Sequence, residues 1–276
     1  MKHLVGIKTG SLGDRDPAYE IHKIKEHGFD ATFTLWSSVE KVSELADLMA
    51  KEGILYDCIH APFHRAADYW KEGEAGDIAE QRTTACIDGC AAVGVKKMVA
   101  HAFCGYQGHS PNEIGLTRFS RIADHALARG VKVCLENVEG EEYLECLMNG
   151  LQGHPAIGFC FDSGHHICYN HKRDFLSEFG DRLSYLHIDS NMGMTGDELT
   201  FSDDNHMLPF DGVADMDYLA YHLRRLHYDG TLMMELVRGN RPDRHTNDRY
   251  LAMTDDEYLA EAYRQICRLR KMVDGE

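Results

Sequence analysis

Four side chains of metal-ligand type stand in this chain directly after short apolar runs: Glu136 in CLENVEG, Asp162 in FCFDSGHH, His187 in YLHIDSN and Glu235 in LMMELV. The first three are spaced about one strand–helix unit apart. Three carboxylates and one imidazole brought to one buried point repel one another and lose hydration, which a cation offsets. That donor set favours a fairly hard divalent ion: Mn2+ first, with Mg2+, Co2+ and Zn2+ as alternatives. Any one of these residues taken alone reads as an ordinary satisfied polar group at a strand end. Four of them at the same kind of position call for a common explanation. Further histidines lie at comparable points: His60 in IHAPFH, His101 in VAHAFCG, His165 three residues after Asp162, and His206 in DDNHMLPFDG. Neutral imidazoles there can hydrogen-bond hydroxyl groups, hold further metal or move protons. His3, His22, His27, His125, His222 and His227 fall at the N-terminus or in helical patterns and read as structural.

The elements that must position these residues alternate regularly. Strand patterns cover 3–7, 31–36, 55–61, 97–103, 132–137, 157–162, 183–189 and 232–236. They are nearly continuous in apolar character, as strands buried on both faces should be. The intervening helices carry start and stop signals. Asp16-Pro17 and Ser38 open the first two, which Gly28 and Gly53 close. A third, about 77–93, stops at Gly94, and Ser110-Pro111 opens a fourth that stops at Gly130. Thr254-x-x-Glu257 is a capping box for the last. Eight strand–helix pairs in 276 residues predict α/β architecture, a single (β/α)8 barrel domain over 1–276. Barrel active sites form at the carboxyl ends of the strands, where the four candidate ligands stand.

Composition narrows the function. The formal charge of −16 disfavours a nucleic-acid partner, which needs a basic track, and suits a small-molecule enzyme. No run of about eighteen apolar residues predicts a membrane helix, and the N-terminal segment is too short and polar for a signal peptide. Nine cysteines, an odd number without a CxxC pair, are expected as free thiols in a reducing cytoplasm. Long connections run over 64–76, with Tyr69 and Trp70 either anchoring that loop or helping to close the site, and over 190–215. Arg238, Arg241, Arg244 and Arg249 in the loop 238–253 read either as a subunit-contact loop or as an anion or phosphate site.

The segments ENV at Glu136, DSGHH at Asp162, HIDSN at His187, DDNHMLPFDG at 203–212 and MEL at Glu235 together resemble the xylose-isomerase-like TIM-barrel superfamily. That group holds sugar-phosphate isomerases and epimerases, ketose 3-epimerases, inosose dehydratases and endonuclease IV. The resemblance spans essentially the whole chain. HIDSN and DDNHMLPFDG are similar to its HxHDN…DxHLxPGxG pattern, with Phe210-Asp211 in place of the usual Gly-Glu. It implies that Glu136, Asp162, His187 and Glu235 hold one divalent metal. It also implies that Glu136 and Glu235 act as an acid/base pair next to a carbonyl, through a cis-enediolate. His165, with His60, His101 and His206, would hold the substrate, a sugar, polyol or sugar phosphate, and Glu142 occupies the spacing of a further substrate contact. Homo-oligomers are common in such relatives. Endonuclease IV offers the alternative. Its nine ligands for three zinc ions have counterparts here in His60, His101, Glu136, Asp162, His165, His187, Asp204, His206 and Glu235, which would make the chain a multi-zinc phosphodiesterase. An inosose-type dehydratase, and a barrel that binds sugar without turning it over, are further readings. The HAPF segment after strand three and the net negative charge place the sugar isomerase/epimerase reading first.

Overall fold

The computed structural model describes residues 2–106, 110–170 and 173–275. Eight parallel strands occur in chain order: β1 (Val5–Ile7), β2 (Ala31–Leu35), β3 (Leu55–His60), β4 (Lys97–His101), β5 (Lys132–Glu136), β6 (Ile157–Asp162), β7 (Leu183–His187) and β8 (Leu232–Met234). Each pairs with the next, β1 pairs with β8, and a parallel bridge between Ile188 and Met234 closes the ring. This is the expected (β/α)8 barrel. The long helices on its outside are α1 (Pro17–Glu26), α2 (Val39–Glu52), α3 (Glu74–Ala92), α4 (Glu113–Arg129), α5 (Glu141–Gly150), α8 (Met216–Arg225) and α10 (Asp255–Asp274). Short helices α6 (Ser163–Cys168), α7 (Phe175–Glu178) and α9 (Asp248–Leu251) complete the set.

Strand side chains alternate between two buried environments. Ala31, Phe33, Cys58, Val99, Cys134, Cys160, Tyr185 and Met233 form one cluster inside the barrel. The other strand face packs on the helices through residues such as Val5, Ile7, Ile59, Leu135 and Leu186. Period two then decides the site. Glu136, Asp162, His187 and Glu235 each lie two residues beyond an interior residue (Cys134, Cys160, Tyr185 and Met233), and His60 and His101 follow Cys58 and Val99 in the same way. Register keeps them level, since His101 aligns with Glu136 and Asp162 with His187. On β1 the interior position is Gly6. A Cβ there would lie 2.4 Å from Met233 Cε and 2.8 Å from the Ala31 carbonyl oxygen, so only glycine fits.

The caps follow the sequence with two shifts. The Asp16 carboxylate accepts from the amides of Ala18 and Tyr19, Gly53 and Gly130 close α2 and α4 in the left-handed region, and the Thr254–Glu257 capping box is complete. Helix α3 begins at Glu74, earlier than expected. Helix α4 begins after Asn112 rather than at Ser110-Pro111, because the Asn112 carboxamide accepts from Ile114 and Gly115. All nine cysteines are free thiols, six buried and Cys104, Cys146 and Cys267 half-buried. No helix among the described residues is long and apolar enough to cross a membrane.

Of the two readings of Tyr69 and Trp70, the structure supports the loop anchor and not closure of the site. They lie on a 3-10 turn, Ala66–Trp70, that turns both rings into the layer between strands and helices. Trp70 donates from Nε1 to the Ala102 carbonyl at 2.8 Å and packs edge-on against Tyr143, while the Tyr69 hydroxyl bonds Thr83. Gly115 makes room for the indole, since a Cβ there would stand 2.1 Å from Trp70 Cε3. This turn is an anchor of the barrel wall. Trp70→Ala is expected to lower unfolding stability by about 3–5 kcal/mol. Urea denaturation checks this, and a loss under about 1 kcal/mol would contradict the anchoring role.

Candidate metal centre

The ends of neighbouring strands are tied together by short polar side chains, and these ties aim the ligands. After β5, Asn137 accepts from the Asp162 amide through Oδ1 at 2.8 Å and donates to the Asp162 carbonyl through Nδ2 at 2.9 Å. After β6, the Ser163 hydroxyl donates to the Asp189 carbonyl and accepts from the Asp189 amide. Gly164 is small because a Cβ there would lie 2.3 Å from Asp189 Oδ1. After β7, Ser190 and Met207 exchange backbone hydrogen bonds. Asn191 Oδ1 accepts from the His206 amide at 2.9 Å, holding His206 at the positive φ of 47°. These bonds give ENV, DSGHH, HIDSN and DDNHM their common purpose: they lock four loops around one point. Phe210-Asp211, where the chain departs from the family pattern, does different work. Asp211 accepts from Tyr250 and Gln265, fastening its loop to α9 and α10.

Glu136, Asp162, His187 and Glu235 converge, with their ligand atoms all within 4.8 Å of one another. His187 Nδ1 lies 2.6 Å from Glu136 Oε1, 2.8 Å from Glu235 Oε2 and 3.9 Å from Asp162 Oδ2. Asp162 Oδ1 caps α6 through the His165 amide, while Asp162 Oδ2, though buried, has no hydrogen-bond partner among the described residues. Glu136 is fully buried, and its second oxygen faces His60 at 3.2 Å and His101 at 3.0 Å. Two further groups adjoin this quartet. His60, His101 and Glu136 form one, and His165, Asp204 and His206 form the other. All nine residues named from the sequence are therefore gathered at one barrel mouth. A buried carboxylate oxygen without a partner, aimed at two more carboxylates and an imidazole, fits a divalent cation.

Charge in this cluster is held by mutual compensation. Burial works against a charged His187, but the Glu235 and Glu136 carboxylates outweigh it and push the imidazole up to about 10. His206 is likewise pushed up to about 10 against burial by Asp204 and Asp189. Burial raises Glu136, yet His187 and His101 hold it well below the usual carboxylate range. Asp162 moves the other way, well up, through burial and the neighbouring Asp189. For His101, burial wins over Glu136 and lowers the imidazole.

A cavity of about 490 Å³ opens above the cluster. Its floor carries Lys8, His60, His101, His165, Asp204, His206 and Glu235, and Phe63, Tyr169 and Phe201 form part of the wall. Glu136, Asp162 and His187 lie beneath this lining. Glu142 is exposed on α5 and is not part of it, contrary to its spacing, and Glu139 stands there instead. The arginine loop is not an open anion site. Arg238 pairs with Asp255, Arg244 with Asp203 and Arg249 with Asp211. Arg241 alone of the four reaches the cavity, paired with Asp204 at 3.2 Å and stacked on Phe201.

Sequence reasoning missed two residues. Asp189, fully buried, lies 2.7 Å from His206 Nδ1. That nitrogen also faces the Glu235 carbonyl oxygen at 3.0 Å. Both partners are acceptors, so Nδ1 carries a hydrogen and Nε2 is turned toward Asp204. The signal was present, since Asp189 stands two residues after His187 on the same strand face. Lys8 was missed because β1 was read only as a strand, although it too lies two residues beyond an interior position.

A barrel with its metal-ligand side chains at the carboxyl-end mouth defines the class of protein. The chain belongs to the xylose isomerase-like TIM barrel family, whose pattern matches residues 21–261. It is 26% identical over 217 residues to the uncharacterized protein y4fM of Sinorhizobium fredii, covering 74% of this chain and 63% of that protein's length. Among solved structures it is similar to a fusion protein of a xylose isomerase-like TIM barrel and a 4-hydroxyphenylpyruvate dioxygenase. The TM-score is 0.75 at 18% identity, covering 99% of this chain and 43% of the other. It is also similar to D-psicose 3-epimerase with D-tagatose from Clostridium cellulolyticum H10, with a TM-score of 0.73 at 17% identity and 99% coverage of both chains.

The raised imidazoles predict a pH dependence for the metal-free protein. A group whose pKa is raised by folding stabilises fully below its unfolded value, about 6.5 for histidine, and loses that contribution as pH climbs through the folded value. With His187 and His206 at about 10, the Tm of EDTA-treated protein is expected to fall between neutral pH and about 10. Added Mn2+ should stabilise more as pH rises across that window, because the ion competes with protons for the same atoms. A flat Tm profile in EDTA would contradict this.

Proposed function

We propose that this protein is a divalent-metal-dependent isomerase or epimerase that moves a proton next to a carbonyl of a sugar, polyol or sugar phosphate. The observation that carries the reading is the quartet of Glu136, Asp162, His187 and Glu235, buried under a cavity of small-molecule size, with Asp162 Oδ2 unpartnered among the described residues. Those four residues would hold the ion, Mn2+ first and Mg2+, Co2+ or Zn2+ otherwise. Its charge, when bound, favours the negative oxygen that develops as the carbon-bound proton leaves.

The chain's own residues divide the remaining work. Glu235 lines the cavity and takes or returns the proton. Glu136 is not part of the lining, but its oxygens face three imidazoles that are: His60, His101 and His165. Those imidazoles can relay a proton between Glu136 and substrate. His165 and His206 hydrogen-bond substrate hydroxyls from the opposite side. The walls around Phe63, Tyr169 and Phe201 exclude water. The free thiols and net charge suit a cytoplasmic small-molecule enzyme, working alone or as a homo-oligomer, with neither nucleic acid nor membrane as partner.

Glu136→Gln and Glu235→Gln are each expected to slow exchange of a substrate C–H proton with solvent by about a hundredfold or more. NMR in D2O with D-fructose and D-tagatose as probes checks this. Undiminished exchange in both variants would sink the acid/base assignment.

A second reading has a specific observation in its favour. The His60–His101–Glu136 and His165–Asp204–His206 groups flank the quartet and share its residue Glu136 or its neighbourhood. That arrangement suits a multi-zinc phosphodiesterase of the endonuclease IV kind, and equally a dehydratase with histidines free for substrate. Metal analysis of purified protein separates the hydrolase from the others. About one ion per chain supports the isomerase/epimerase reading, and about three zinc ions per chain would replace it with the hydrolase.

A further inference from the structure

The cavity floor contains one ammonium group that neither the quartet nor the histidines require. Lys8 follows Gly6 on the inward face just past β1, and its side chain is largely buried. Lys8 Nζ donates to Glu235 Oε1 at 3.0 Å, while Glu235 Oε2 faces His187 Nδ1 at 2.8 Å. The two oxygens of Glu235 are thus assigned to different tasks: one looks down into the metal cluster and the other up toward the cavity.

The segment carrying Lys8 is rigidly held. Its amide donates to the Met234 carbonyl at 3.0 Å, and the Ser11 hydroxyl donates to the Lys8 carbonyl at 2.7 Å. The buried Glu20 accepts from the amides of Gly10 and Leu12, fixing the turn that follows. Burial and the bond to Glu235 already order the Lys8 side chain, so binding costs it little further freedom. An ammonium has three N–H donors and no acceptor. Glu235 takes one of the three in the structure. Lys8 is also part of the cavity lining, with Glu235, His60 and His206 around it.

We propose that Lys8 is a further catalytic residue, which holds Glu235 Oε1 with one N–H and offers the others to the substrate oxygen that becomes negative when Glu235 removes the adjacent carbon-bound proton. This rests on the proton-transfer reading of the site. The step balances without a co-reactant. The C–H bond breaks, its proton goes to Glu235, the electron pair moves into the C–C–O system, and the oxygen that gains charge faces the ammonium. Lys8 itself neither gains nor loses a proton. A fixed cation where charge develops favours that state over the neutral substrate. Lys8 therefore discriminates by charge: it adds little to binding of a neutral polyol and much to binding of an anionic, planar mimic of the enediolate.

The test compares two probes on the Mn2+-loaded protein by calorimetry: glycolohydroxamate, an anionic planar mimic, and xylitol, a neutral polyol. Lys8→Met and Lys8→Gln are expected to keep wild-type Mn2+ content and to weaken hydroxamate binding by about tenfold or more, with xylitol affinity within about twofold. Lys8→Gln keeps a donor of similar reach without the charge, so it remains informative if Lys8→Met does not fold. Lys8→Arg should restore most of the hydroxamate affinity. Unchanged hydroxamate binding in both neutral variants overturns the role of Lys8 and leaves the proton-transfer reading intact. A wild-type protein that binds xylitol but not hydroxamate overturns that reading, and the role of Lys8 with it.

Discussion

Five carboxylates, Glu136, Asp162, Asp189, Asp204 and Glu235, are buried at one end of this barrel within reach of five imidazoles and one ammonium. Buried like charges repel strongly in a poorly polarisable surrounding, and each has given up its hydration. Without compensation such a cluster would open or protonate. The protein meets this constraint twice. It interleaves acid with base, as in Glu235–His187–Glu136 and Asp204–His206–Asp189. It also keeps the geometry of a cation site, with Asp162 Oδ2 aimed inward.

That geometry depends on rigidity around the mouth. Loops at strand ends are ordinarily the mobile part of a barrel. Here Asn137 ties β5 to β6, Ser163 ties β6 to the end of β7, and Asn191 ties β7 to the loop carrying Asp204 and His206. Glu20 does the same for the turn after β1. The asparagine and serine ties use short side chains with few rotamers, which cost little entropy to order. Ligands held this way are preorganised, so binding energy is not spent on gathering them. The anchoring of Trp70 in the wall belongs to the same pattern, since it fixes the connection between β3 and α3.

The cavity and the cluster beneath it make different demands on a partner. A cleft walled in part by Phe63, Tyr169 and Phe201, in a chain of net charge −16, suits a small molecule. The flanking histidine groups would equally accept more metal. The chemistry shared by both outcomes is control of negative charge on oxygen, by cations below and by the ammonium and imidazoles at the floor. Family membership alone does not choose between them, because one barrel scaffold hosts unrelated reactions.

Much of this was legible in the chain. The eight strands, the capping signals at Asp16, Ser38 and Thr254, and the quartet could be read directly, because strand periodicity and cap chemistry are local properties. Glu142 could not be placed from its spacing, because a spacing within a helix does not say which way the helix faces the cavity. Tyr69 and Trp70 were left between two readings because a long connection looks the same in sequence whether it covers a site or packs into a wall. The sequence by itself determined the candidate ligand types and, through period two, that they share the inward face. Only the tertiary structure decided that Lys8 from the first strand meets Glu235 from the last, and that Asp189 lies behind His206. Those contacts exist because the barrel closes, and closure pairs residues that no local pattern connects.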